Sequence, residues 1–126
     1  MTSNLNAGGS ALPFAEMDEF FSEAYDRNAQ SLEDEIDALC LHCAEVLKKE
    51  FGDFCEIGFD VLITKDLGPI IIEGNAKPSR WVFVKIADYL KEKGEDNSYY
   101  IDRRNETVSV PMKYAKYILK DLNDYA

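Results

Sequence analysis

Two carboxylates and one amide stand where a β-hairpin would bring them together. Asp60 lies in the middle of a stretch in which every second residue is apolar. Glu73 and Asn75 form an E-x-N motif directly after three isoleucines. If the turn is centred between Asp66 and Leu67, Asp60 faces Glu73, and Asn75 projects from the same face two residues further on. Two carboxylates and an amide suit Mg²⁺, which keeps its other positions for water and phosphate oxygens. The spacing is therefore compatible with a divalent-cation site.

The same register places Leu62 opposite Ile71. A simpler interpretation of the carboxylates is an acidic hairpin end that is only solvated, or a register displaced by one residue. Directly opposed like charges weaken a sheet by roughly a few tenths of a kcal/mol in water, and by more when half-buried. A bound cation would remove that cost, but this motif alone does not decide between the alternatives.

Hydrophobic patterns predict the elements that would position these residues. The alternation predicts a strand over residues 56–63, a turn over 64–69 and a β-branched strand from 70 to 72. We also expect four helices, a short edge strand and irregular segments. The helices cover 17–24, 31–50, 79–93 and 112–123, and Pro111 fits the first turn of the last one. The edge strand covers 11–14, and the segments 4–10 and 95–106 are irregular, the latter with some strand. The prediction is an α+β fold with an antiparallel sheet flanked by helices, in one domain of residues 1–126.

The long helix carries a second group of reactive side chains. Ser31 and Asp34 resemble a capping box at its start. Cys40-Leu41-His42-Cys43 lies well inside it, with both cysteines on the apolar stripe. A zinc site would need a second ligand pair, and a redox pair would sit at a helix start, so we interpret both cysteines as core and His42 as exposed.

Composition excludes several classes of protein. With 24 acidic and 14 basic residues, the formal net charge is −10, which disfavours nucleic acid and anionic lipid as partners. ATP remains acceptable, because magnesium can bridge its phosphates to carboxylates. No stretch has the roughly 20 apolar residues of a membrane span, and residues 1–4 do not begin a signal peptide. The three cysteines give no disulfide framework, so we expect a cytoplasmic protein.

Several motifs in order resemble one enzyme superfamily. Gly58-Phe59-Asp60-Val61 followed by Ile72-Glu73-Gly74-Asn75-Ala76-Lys77-Pro78 is similar to the end of the ATP-grasp catalytic domain. Asn4-Leu5-Asn6-Ala7-Gly8-Gly9 resembles the substrate loop of glutathione synthetase-like ligases. Lys77-Pro78-Ser79-Arg80 and the run from Ser109 to Tyr117 look most like the YheC/YheD branch, which is described as endospore coat-associated.

The resemblance implies a role for each of these positions. Three residues would hold Mg²⁺ or Mn²⁺ and, through it, the phosphates of ATP: Asp60, Glu73 and Asn75. Leu62 and Ile72 would border the adenine of the same ATP. Asn6, Gly8 and Gly9 would close over a small carboxylate substrate, and Lys77 and Arg80 would orient a carboxylate or phosphate. In the family reaction the carboxylate becomes an acylphosphate, from which an amine displaces phosphate.

The resemblance covers only the C-terminal portion of an ATP-grasp unit. It therefore implies a fragment of a longer chain or a truncated relative, inactive as a carboxylate-amine ligase when alone. The alternative function is a non-catalytic, spore-associated interaction domain that retains the fold. A small sheet with an exposed edge and apolar face predicts self-association, or association with the missing half of the ATP-grasp unit.

Overall fold

The computed structural model of the chain describes residues 9–124, with side chains described as far as Lys120. Most of the predicted loop 4–10 lies outside this range, and Gly9 and Ser10 have no regular structure. The predicted α+β fold is confirmed, with one two-stranded antiparallel sheet in the described range. After a short 3₁₀ helix at Phe14–Met17, the elements are α1 (Asp18–Tyr25), α2 (Ala29–Phe51), β1 (Gly58–Thr64), β2 (Gly68–Asn75), α3 (Trp81–Lys93) and α4 (Ser98–Asp124).

The chain divides into two compact units, of which the first ends at Pro78 and the second begins at Ser79. The first holds α1, α2 and the hairpin, and the second holds α3 and α4. The assignment of residues 1–126 to a single domain stays a prediction. None of the helices within residues 9–124 has both the length and the apolar character needed to cross a membrane.

The core of the first unit is small and links the hairpin to the helices. Phe21 and Leu32 are almost completely buried, at 1% and 0% exposure, and Ala29 completes the cluster. Ile63 of β1 packs against it, as do four side chains from the N-terminal helices: Phe14, Met17, Tyr25 and Ile36. The apolar stripe of α2 thus positions the strand that carries Asp60.

The start of α2 differs from the sequence prediction. The helix begins at Ala29, because the side chain of Asn28 accepts a hydrogen bond from the backbone N–H of Ser31 at 2.7 Å. Ser31 is therefore inside the first turn, and the predicted capping box is wrong. The backbone N–H of Ala29 also donates to Asp18 Oδ1 at 2.6 Å, which fixes α1 against the start of α2.

The predicted edge strand over residues 11–14 is also wrong. Ala11 forms an isolated β-bridge, and the 3₁₀ helix starts at Phe14. The ring of Phe14 lies 5.3 Å from that of Phe21, so contact with the core accounts for the compact turn.

In the second unit α3 ends as predicted at Gly94, which adopts a left-handed conformation with φ 75°. The side chain of Asn97 then donates to the carbonyl of Ala87 at 3.0 Å and holds the loop against α3. This short connection leads directly into α4 at Ser98. The predicted irregular segment 95–106 is therefore wrong over most of its length.

Pro111 lies inside α4 and not in its first turn. A proline has no N–H, so the carbonyl of Thr107, four residues earlier, lacks its usual helical donor. Arg80, which precedes α3, supplies one: its Nη2 donates to the Thr107 carbonyl oxygen at 3.1 Å. This contact satisfies the group that the proline leaves open and joins the two helices of the unit.

Candidate metal centre

The register of the hairpin places Asp60 directly opposite Glu73. Near the turn Thr64 pairs with Gly68, and a regular ladder from there would put Asp60 opposite Ile72. The register shifts by one residue between Asp60 and Val61, so Ile72 is an extra residue, a β-bulge. The bulge carries Glu73 into the position opposite Asp60, as the sequence predicted.

The pairing of Leu62 with Ile71 is wrong, since Leu62 pairs with Ile70 and Val61 with Ile71. The predicted centre of the turn was displaced by half a residue. Lys65, Asp66 and Leu67 form the turn, and the bulge then compensates for the displacement at Asp60.

Gly74 shows which way its neighbours point. A Cβ built on Gly74 would meet the side chains of Ile57 and Phe59 at 3.2–3.5 Å, so this position faces the apolar side of the sheet. Glu73 and Asn75 flank Gly74 in the strand, so strand alternation places them on the opposite side, although Glu73 also borders the groove between the hairpin and α2. Gly58 pairs with Asn75, two residues from Asp60, which puts all three oxygen-bearing side chains on one face.

Asp60 and Glu73 are both exposed, and Asn75 is half-buried. Across residues 9–120 neither carboxylate forms an ion pair. No three His, Cys, Asp or Glu side chains in this part of the chain are grouped closely enough to hold a metal ion. The candidate set contains only two such residues and an amide, so ligands beyond these three must come from water or substrate.

Close packing at Gly58 fixes the backbone where the two strands begin and end. A Cβ added to Gly58 would lie 2.6 Å from Pro78 Cβ, which is shorter than the contact distances that Cβ atoms show in proteins. Pro78 follows the E-x-N segment, so the absent side chain lets the chain turn back against β1. This contact positions the exit of β2 relative to Asp60.

We expect Gly58→Ala to lower the free energy of unfolding by about 1–3 kcal/mol, the usual cost of inserting a methyl group into a packed contact. Gly74→Ala is the matched comparison, because its methyl group would meet movable side-chain ends of Ile57 and Phe59. Gly74→Ala should therefore lower the free energy of unfolding by less than Gly58→Ala does. Urea denaturation of both variants measures the difference, and equal stability of Gly58→Ala and the unmodified protein would contradict the account.

The remaining predicted site residues lie in different surroundings. Leu62 is two residues from Asp60 on the same strand face and is 51% exposed, and Ile72, at the bulge, is 65% exposed. Lys77 is exposed after β2, whereas Arg80 lies in the second unit and binds the Thr107 carbonyl. Gly9 is partly buried, and Asn6 and Gly8 lie outside the described residues. The roles assigned to these residues stay predictions.

An open groove of about 500 Å³ lies between α2 and the apolar side of the hairpin. From the sequence, Cys43 was interpreted as core, His42 as exposed and Glu73 as a metal ligand, so no groove was predicted here. The lining residues are His42, Cys43, Val46, Leu47, Ile57, Phe59, Ile71, Ile72, Glu73 and Gly74. The two-stranded sheet is too narrow to fill the space beside the helix, which leaves these side chains partly accessible.

The environment of Cys40 in α2 disfavours the thiolate form. Cys40 and Cys43 are partly buried, and His42 is exposed as expected. Desolvation by burial, with smaller contributions from Asp37 and Cys43, raises the pKa of Cys40. A raised pKa reduces the thiolate fraction and makes Cys40 a poor nucleophile at neutral pH.

Comparison with protein families matches the described hairpin and nearly all of the chain. Residues 1–118 match the family model described as "YheC/D like ATP-grasp". The chain belongs to this family. The resemblance inferred from the motifs is thus confirmed, and family membership supports an ATP-binding, ligase-like function.

Neither the search of curated proteins nor that of solved structures finds a significant match. The family alone therefore connects this YheC/D-like chain with ATP. The assignment of individual residues depends on the geometry of the hairpin.

Proposed function

We propose that this ATP-grasp protein binds a divalent cation, Mg²⁺ or Mn²⁺, through Asp60, Glu73 and Asn75, and binds ATP phosphates through that cation. The observation that carries the proposal is the pairing of Asp60 with Glu73 across the bulged hairpin. The reaction class is ATP-dependent activation of a small carboxylate as an acylphosphate, followed by attack of an amine. Family membership supports the ATP-binding part of this proposal.

The residues present fit such a cation. Two carboxylate side chains and one amide share a sheet face, and all three offer hard oxygen ligands. Like charges directly opposed on a sheet repel each other, and across the described residues no Lys or Arg is ion-paired with either carboxylate. Their exposure leaves room for water and phosphate oxygens.

A bound cation would neutralise charge on the β- and γ-phosphate oxygens during transfer. Strand pairing and the bulge hold the backbone of Asp60 opposite that of Glu73, so the two carboxylates project from neighbouring positions. We propose that Lys77 orients a carboxylate or phosphate, because it is the cationic residue nearest the E-x-N motif in sequence. Arg80 is the weaker candidate, since its guanidinium already donates to Thr107.

The test is isothermal titration of the chain with a non-hydrolysable ATP analogue, with and without Mg²⁺. We expect binding that requires the cation and disappears in EDTA, because the formal net charge of −10 opposes binding of a free polyanion. Magnesium-independent binding would contradict the proposed role of the carboxylates.

The alternative, a non-catalytic interaction domain that retains the fold, predicts a different result in the same experiment. Such a domain would bind no nucleotide, with or without Mg²⁺, while keeping its helical circular dichroism spectrum. That outcome would overturn the proposed nucleotide binding and leave the family assignment intact.

A further inference from the structure

An apolar stripe, interrupted at Arg104 and Asn105, follows one exposed side of α4. Its members recur at steps of seven, four, three and four residues, the spacing of one face of a helix. All of them are exposed: Ile101, Val108, Met112, Ala115 and Leu119. From first to last the stripe extends for about 27 Å at the rise of an α-helix.

This stripe differs from the side of α4 that is already packed. Most half-buried residues of the helix follow another line, and Thr107 on that line accepts the hydrogen bond from Arg80. They are Tyr100, Thr107, Val110 and Tyr114, whereas the half-buried Ser109 lies on a different side of the helix. By helical geometry the two lines lie roughly 140° apart, so α4 presents a second apolar side that its contact with α3 does not use.

Charged residues beside the stripe change sign along the helix. Asp102 lies in the N-terminal half, whereas Lys113, Lys116 and Lys120 lie on the same flank in the C-terminal half, and all four are exposed. In a parallel two-fold pair the charged flanks of the two copies would lie on opposite sides of the contact, so Asp102 would not meet Lys116 or Lys120 of the other copy. Two antiparallel copies would place Asp102 of each beside Lys116 and Lys120 of the other.

We propose that the α4 stripe is the interface through which two copies of this chain form an antiparallel, two-fold symmetric helix pair. With the axis near residue 110, Ile101 faces Leu119 of the partner and Val108 faces its Met112. A two-fold interface repeats every such contact, so each favourable charge pair counts twice. Charge complementarity along one flank distinguishes a second copy of the chain from an unrelated apolar partner.

The expected dimer is concentration-dependent. A stable interface usually buries about 800 Å² on each partner, and two helices in contact over about 27 Å bury less. The proposal does not depend on nucleotide or metal binding, because none of the stripe residues belongs to the hairpin.

Sedimentation equilibrium of the full chain and of charge variants tests the interface. Asp102→Lys alone, and Lys116→Asp with Lys120→Asp, should each weaken dimerisation by about tenfold, since each replaces attraction by repulsion on both sides of the axis. Combining all three changes should restore it. Failure of the combined variant to recover would overturn the antiparallel arrangement.

Matched apolar variants test the stripe itself. Met112→Asp should abolish dimerisation, whereas Tyr117→Asp, at a similarly exposed position on another side of α4, should not; the two side chains are 68% and 62% exposed. Circular dichroism verifies that each variant stays helical. A monomer at every concentration of the unmodified chain, or equal loss in both variants, would overturn the proposal.

Discussion

Replacing Asp60 by Asn or Glu73 by Gln is expected to weaken Mn²⁺ binding by about tenfold or more in each case. Each change removes one of only two charged ligands from the candidate centre. The double variant should lose little beyond the first loss, because residues that hold one ion act as a unit and their effects do not add. Titration followed by electron paramagnetic resonance of free Mn²⁺ measures all three affinities.

The matched control is Asp66→Asn, which neutralises an exposed carboxylate in the turn of the same hairpin. It should leave Mn²⁺ affinity nearly unchanged. The Asp60→Asn substitution should affect stability in the opposite direction from metal affinity. In EDTA, Asp60→Asn should raise the free energy of unfolding by roughly a few tenths of a kcal/mol, because it removes a like charge opposite Glu73. Equal losses of affinity in Asp60→Asn and Asp66→Asn would mean that the ion responds only to general surface charge.

Phe21→Ala is expected to lower the free energy of unfolding by about 3–5 kcal/mol, a large share of the roughly 5–15 kcal/mol by which domains are usually stable. Phe21 is 1% exposed and, among the described residues, forms a buried cluster with Ala29 and Leu32, so removing its ring leaves a cavity at the centre of this core. Because Ile63 of β1 packs on this cluster, the variant should also weaken Mn²⁺ binding.

Phe20→Ala provides the control within the same helix. Phe20 is 49% exposed and touches the rings of Phe21 and Tyr25 from outside, so its removal should cost about 1 kcal/mol. Thermal and urea denaturation of the two variants measure the difference. Similar stabilities for Phe20→Ala and Phe21→Ala would show that the Phe21–Leu32 cluster is not the main core of the unit.

Local patterns were sufficient for the elements that carry the site. The apolar stripe of α2, the alternation of β1 and the isoleucines of β2 each repeat with a clear period, and each element was predicted correctly apart from its ends. The pairing of Asp60 with Glu73 was predicted correctly, although the prediction did not include the β-bulge that produces it. The assumed turn centre was displaced by half a residue, and the bulge at Ile72, which has no signature in the sequence, restored the pairing.

The largest error concerned α4, and its cause is not local. A proline inside a helix normally favours a boundary, so Pro111 predicted the start of a helix. In the structure the helix begins at Ser98 and continues past Pro111, and the carbonyl that the proline leaves open binds Arg80. Arg80 and Thr107 are 27 residues apart, a separation that no periodic pattern reveals.

The same contact changes how the candidate site is interpreted. Arg80 was predicted to orient a substrate because it follows the E-x-N motif in sequence. Its hydrogen bond to Thr107 gives it a structural role in the second unit. The groove beside α2 was missed for a related reason: the sequence shows which side chains are apolar, but not whether a two-stranded sheet is wide enough to cover them.

Anomalous diffraction from crystals soaked in Mn²⁺ tests the central claim most directly, because it locates the ion without reference to activity. We expect one peak between the side chains of Asp60, Glu73 and Asn75, with each contributing an oxygen ligand. Peaks only at other acidic residues, or an Asp60 carboxylate directed to the Phe59 side of the sheet, would contradict the proposed centre.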